Sequence, residues 1–273
     1  MNSTINAVTN TNKINTKIYE IKKKIRYSKY FNSYDPFVKL PEKKFFIFIR
    51  GRTGSTVLTD LLNSHPEMYC DYEIFFIEKN QTIVKYPLKY IDSCSKRATL
   101  NKKSVYGFKV KIEQLRDEHK YTNIDELFKQ LIDKNWKIIY LKRSNIIKHT
   151  LSGLISNKTK VFHVKDSYDF THEKINIDCT LLYDVMKYFE GLENLEEDYM
   201  KNVPHININY ETDLLDNSRH QETSDKVFKY LGLDNFPVNT KLKKIIPENL
   251  QDIISNYDEV YEAISKTDFK RFL

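Results

Sequence analysis

Glycine is scarce in this sequence, with six residues in 273. The three cysteines, Cys70, Cys94 and Cys179, are odd in number and far apart. They show no metal-ligand spacing and suit a reducing compartment rather than a disulfide framework. No run of about 18 apolar residues is present, so no transmembrane span is expected. The first residues, MNSTINAVTNTNKINTK, lack the apolar stretch of a signal peptide, and the expectation is a cytoplasmic protein. There are no internal repeats and no Pro/Gly-rich linker. That predicts one domain over residues 44–273, preceded by an N-terminal arm and lead-in at 1–43.

What is present fits a globular chain. Hydrophobic residues make up 40%, enough for a sizeable core. Lysine and arginine number 44 against 37 acidic residues, a net charge of +7. That balance favours an anionic ligand without pointing to nucleic acid, and a solvated lysine-rich surface accounts for much of it.

Patterning predicts an α/β fold with a central, mostly parallel sheet and helices on both faces. KFFIFI (Lys44–Ile49) is a continuous apolar run of strand length, as a buried parallel strand requires. SVYGFKVKI (Ser104–Ile112), WKIIYLKR (Trp136–Arg143) and HININY (His205–Tyr210) are further strands. Helices are predicted after the first strand until His65-Pro66, and at Ile124–Asp133, Asn145–Ser156, Cys179–Tyr199, Glu222–Leu231 and Pro247–Tyr257. The polar, irregular stretch Ser156–Asp178 reads equally as a lid or as a surface excursion.

Between the first strand and its helix lies RGRTGST (Arg50–Thr56). Gly51 and Gly54 let the backbone approach a ligand closely, and N–H groups at a helix N-terminus bind anionic oxygen. A Walker loop ends in Gly-Lys-Ser/Thr. Here the end is Gly54-Ser55-Thr56, and the cation is Arg52, two positions earlier. With no acidic residue placed like a Walker B aspartate after a later strand, a magnesium-dependent phosphoryl transferase is disfavoured. The plain alternative is a strand–turn–helix junction in which Ser55 or Thr56 caps the helix.

RGRTGSTVLTDLLNSHPEM resembles the 5′-phosphosulfate loop of sulfotransferases that use 3′-phosphoadenosine 5′-phosphosulfate. Arg52, Thr53, Gly54, Ser55 and Thr56 match that loop one for one. IIYLKRSNIIKHTLS resembles the family's second motif, a strand ending in arginine and a helix carrying serine, with Arg143 and Ser152 nine apart. YGFKVKIEQL, ININYETDL, FKYLGL and the tail from Pro247 resemble bacterial and carbohydrate-type members. Small-molecule members carry lysine where Arg52 stands and a following tryptophan, both missing here. The resemblance is therefore closer to the carbohydrate and tyrosyl-protein branches.

The resemblance implies a P-loop-like fold and metal-independent in-line transfer, with 3′,5′-ADP as product. It implies that Arg52, Thr53, Gly54, Ser55 and Thr56 hold the 5′-phosphosulfate, and that Arg143 and Ser152 grip the 3′-phosphate. The acceptor would be a hydroxyl of a carbohydrate, lipid headgroup, peptide tyrosine or small alcohol. Glu73, in CDYEIFF, stands where those branches carry a catalytic glutamate, next to apolar Ile74, Phe75 and Phe76. Its plain alternative is to open a following helix. Asp71 and His163 are rival bases, and Lys109 is placed to reach a bridging oxygen or a substrate anion. Two other classes stay open: a P-loop nucleotide or metabolite kinase, and a non-catalytic nucleotide- or polyanion-binding module.

Overall fold

The computed structural model describes residues 37–77, 83–159, 174–242 and 250–273. The N-terminal arm up to residue 36, His163 and the middle of the Ser156–Asp178 stretch lie outside the described residues.

Five strands form one parallel sheet: β1 (Lys43–Ile49), β2 (Met68–Glu73), β3 (Val105–Lys111), β4 (Trp136–Lys142) and β5 (His205–Asn209), in the order β2-β3-β1-β4-β5. The helices are α1 (Ser55–Leu62), α2 (Pro87–Leu100), α3 (Ile124–Asp133), α4 (Ile146–Thr159), α5 (Cys179–Met200), α6 (His220–Leu231) and α7 (Tyr257–Ser265).

Side chains alternate across a strand, and β1 is buried on both sides. Phe46 and Phe48 point into one layer with Tyr90 and Cys94 of α2, Phe128 and Leu131 of α3, and Leu192 and Met200 of α5. Phe45, Ile47 and Ile49 point into the other, with Leu58 and Leu61 of α1 and Val227 and Phe228 of α6. Helices thus cover both faces, as the apolar run of β1 predicts. A third apolar cluster joins α4, α5 and α7. Phe45 faces Gly107 in the β1–β3 register, and a Cβ there would sit 2.1 Å from the Phe45 ring. Any side chain at 107 would displace that ring.

Three expectations need correction. Met68–Glu73 is an edge strand, and Pro87–Leu100 is a helix that patterning did not predict. The last helix starts at Tyr257, where the predicted one ends, and follows a short 3-10 turn at Leu250–Asp252. Within the Ser156–Asp178 stretch, residues up to Thr159 complete α4, Ile175 bridges Ile254, and Asp178 caps α5 by accepting from the N–H groups of Thr180 and Leu181. No helix among the described residues is long and apolar enough to cross a membrane.

Candidate active site

Ligands of open α/β sheets bind beyond the carboxyl ends of the strands. At that edge a cleft of about 800 Å³ is lined by the loop after β1, the ends of β2 and β3, Arg143 after β4, the second half of α4, Phe189 of α5 and the turn after β5.

The loop is built as an anion cradle. Arg52 and Gly54 both adopt left-handed backbone, at φ 67° and 80°. Alternation of that kind turns successive N–H groups toward one side. Gly54 occupies the N-cap of α1, and no side chain caps the helix. The first-turn N–H groups therefore keep their demand for an acceptor. Ser55 and Thr56 are not caps; they are the first helical residues. Gly54 is required twice, by its φ and because a Cβ would lie 2.6 Å from the Tyr210 ring.

The two motif segments meet at Arg52. Its Nε donates to Ser152 Oγ at 3.3 Å, and Arg143 Nη1 donates to its carbonyl oxygen at 3.0 Å. The Arg143 guanidinium lies over the Tyr210 ring, 4.6 Å from the centroid, and 3.7 Å from Glu211 Oε1. Burial pulls its pKa below the usual arginine value, while Tyr210 and Glu211 oppose that shift. Glu211 also accepts from the N–H groups of Ser144 and Asn145 at 2.8 and 3.2 Å, which fixes the start of α4.

Lys109 reaches the same place from β3, which neighbours β1. Its Nζ lies 3.4 Å from Ser55 Oγ, 3.3 Å from Thr56 Oγ1 and 4.0 Å from Glu73 Oε1. It is only 2% exposed. Burial lowers its pKa from 10.5 to about 8, and Glu73 partly opposes the shift.

Glu73 is the last residue of β2 and opens no helix. Register is lost between Cys70 and Glu73, where β2 bulges. Asp71 faces away from the cleft: it pairs with Arg97 at 2.9 Å and accepts from Tyr106 Oη at 2.8 Å. Glu73 faces the cleft. Its surroundings are cationic rather than apolar, which corrects the expectation drawn from Ile74, Phe75 and Phe76. Lys111 Nζ is 2.9 Å from Oε2, and Gln114 Nε2 donates to the same atom at 2.9 Å. Phe75 turns into the core, while Tyr72 and Phe76 are exposed at the cleft.

Of the residues expected to bind donor, Arg52, Gly54, Ser55, Thr56, Arg143 and Ser152 line this cleft, with Lys109 and Glu73 beside them. Thr53 does not; it is fully buried, and its hydroxyl donates to Arg50 O at 2.9 Å. Tyr210, Gln114, Lys111 and Glu211 were not anticipated in the site. The segment ININYETDL carried a signal for Tyr210 and Glu211. Lys111, at the end of β3, and Gln114, in the helical turn after it, became legible only in the fold.

No family model matches the sequence, and no curated protein matches it. Among solved structures, a sulfotransferase from Alicyclobacillus acidocaldarius is similar, with a TM-score of 0.45 and 13% identity over 84% of this chain and 95% of that one.

Proposed function

We propose that the chain is a sulfotransferase, moving a sulfuryl group from 3′-phosphoadenosine 5′-phosphosulfate to an acceptor hydroxyl, that of a carbohydrate or other alcohol, and leaving 3′,5′-ADP. One observation carries the reading. Arg143 and Ser152, 91 and 100 residues away in sequence, both bond to Arg52 within a loop whose helix start is uncapped.

The polar groups around that point fit such a donor. The side chains of Arg52, Arg143, Ser152, Ser55, Thr56 and Lys109 all carry N–H or O–H groups, the complement of a ligand with many anionic oxygens. Arg52, Ser55 and Thr56, with the N–H groups of the α1 start, would hold the 5′-phosphosulfate. Arg143 and Ser152 would hold the 3′-phosphate.

When bound, the donor supplies an activated sulfuryl group. Arg52 and Lys109 stabilise negative charge where it builds on the leaving phosphate, by fixed charges in a cleft that already orients them. Glu73 takes the proton of the acceptor hydroxyl. Lys111 and Gln114 hold the carboxylate in place through Oε2, which leaves Oε1 for the acceptor.

Calorimetric titration tests the assignment. We expect 3′,5′-ADP to bind more tightly than 5′-AMP, and to bind without added metal. Preference for ATP with Mg²⁺ would support a kinase instead. Steep salt dependence without nucleotide selectivity would support a polyanion binder.

A further inference from the structure

Three successive carbonyls of the loop are each taken by a side-chain donor. Thr53 Oγ1 donates to Arg50 O at 2.9 Å, His149 Nε2 to Gly51 O at 2.6 Å, and Arg143 Nη1 to Arg52 O at 3.0 Å. In a planar trans peptide the C=O and the following N–H point in opposite directions. Pinning these carbonyls therefore turns the N–H groups of Gly51, Arg52 and Thr53 away from the three donors.

His149 is the member with no evident purpose other than this one. It sits on α4, fully buried, and does not line the cleft. Its Nδ1 has no hydrogen-bond partner among the described residues. A buried polar atom without a partner costs free energy that an apolar side chain would avoid. Among the described residues, the hydrogen bond that offsets this cost is the one to Gly51 O.

Phe189 of α5 fixes the ring. The two rings stack with centroids 4.5 Å apart and an interplanar angle of 18°. The carbonyl of Phe189 also accepts from Arg50 Nη1 at 3.0 Å. One residue of α5 thus braces both the arginine that opens the loop and the imidazole that holds its second carbonyl.

We infer that His149 is a positioning residue for the anion loop, holding the Gly51 carbonyl through Nε2–H while Phe189 holds the ring, so that the loop is set for its ligand before the ligand arrives. The inference rests on the anion-binding role proposed above for this loop. The charged groups about the imidazole are Arg50, Arg52 and Arg143, with Glu193 and Glu196 paired to Arg50 and Glu211 to Arg143. Burial first, and then Arg50, push the His149 pKa well below 6.5. The ring is accordingly neutral, and its bond to a carbonyl places the proton on Nε2.

The test has a ligand-free arm and a ligand arm. Nitrogen NMR of ¹⁵N-histidine-labelled protein, with the His149 ring identified by its loss in His149→Phe, should show a protonated Nε2 and a bare Nδ1 on that ring, unchanged as pH falls through 6.5. Amide hydrogen exchange over Gly51–Thr56 should speed up by about tenfold in His149→Phe, and His149→Gln, which keeps a donor, should restore it to within about threefold. A protonated Nδ1, or unchanged exchange in His149→Phe, overturns the inference. In the ligand arm, the Kd for 3′,5′-ADP should rise about 3–10-fold in His149→Phe and recover in His149→Gln. Wild-type binding that His149→Phe leaves intact sinks the role of His149 alone. A wild-type protein that binds neither 3′,5′-ADP nor inorganic pyrophosphate sinks the donor assignment and the anion-loop role with it.

Discussion

Lys109 Nζ lies 3.3 Å from Thr56 Oγ1, so the strand beside β1 brings an ammonium to the start of the helix that follows the loop. A Walker loop carries its lysine within the loop itself. Here Arg52 belongs to the loop, while Lys109 comes from β3.

Lys109 also leaves a signature in stability. The unfolded chain holds the proton up to its ordinary pKa of 10.5, and the folded chain releases it near 8. Between those values the unfolded state binds more protons at this site, so the contribution of Lys109 to stability rises with pH across that window. Below it both states are charged and the full cost of burying the ammonium is present. Lys109→Met should lack this contribution, whose integral is on the order of 3 kcal/mol, while buried Cys70 and Cys94, raised by burial, keep a slope of opposite sign above pH 9. Urea unfolding of both proteins at several pH values across the window measures it; parallel curves would contradict the assignment.

Arg143→Ala should separate the two phosphates of the nucleotide. Loss of a charged hydrogen-bond donor costs about 1.5–3 kcal/mol, and that loss should fall on 3′,5′-ADP. A smaller loss, common to 5′-AMP, follows because Arg143 also holds Arg52 O. Equal losses for both nucleotides would remove the 3′-phosphate role.

Glu73→Gln should lower kcat by about 10²–10⁴-fold, the range of a general base, with little change in 3′,5′-ADP affinity. Asp71→Asn is the control. It should keep turnover but lose about 1–3 kcal/mol of stability, because its carboxylate is committed to Arg97 and Tyr106. Near wild-type turnover in Glu73→Gln would shift the search for a base elsewhere.

Gly54→Ala should destabilise the fold by about 2 kcal/mol or more, combining left-handed strain with the collision against Tyr210. Adding Tyr210→Ala should remove the steric part and leave the strain. A double-mutant cycle with no coupling between the two positions would show that the ring yields freely.

The parts legible in the sequence share a physical cause. Phe45–Ile49 reads as a strand because both its faces are buried, so no polar residue interrupts the run. Met68–Glu73 escapes because it is an edge strand, with half-exposed Tyr69 and Asp71 alternating with its buried residues. Pro87–Leu100 escapes because Ser93, Ser95 and Lys96 are buried along with Tyr90, Ile91, Cys94 and Ala98, which dilutes the apolar signal. In the site, Arg52, Arg143 and Ser152 are legible from local motifs. His149, Phe189 and Gln114 are not, because their contacts depend on how α4 and α5 sit against the loop and how the turn after β3 sits against Glu73.

The sheet order gives the cleft a further property. Its lining comes from the loop after β1, the ends of β2 and β3, α4, α5 and the turns after β4 and β5, segments spread from Gly51 to Leu242. No two consecutive elements contain all of it. Recognition is therefore a readout of the whole chain's assembly: a ligand that binds only the assembled cleft adds RT ln(1 + [L]/Kd) to global stability. During refolding, affinity should appear in the same kinetic phase as the last strand to join the sheet, and no earlier.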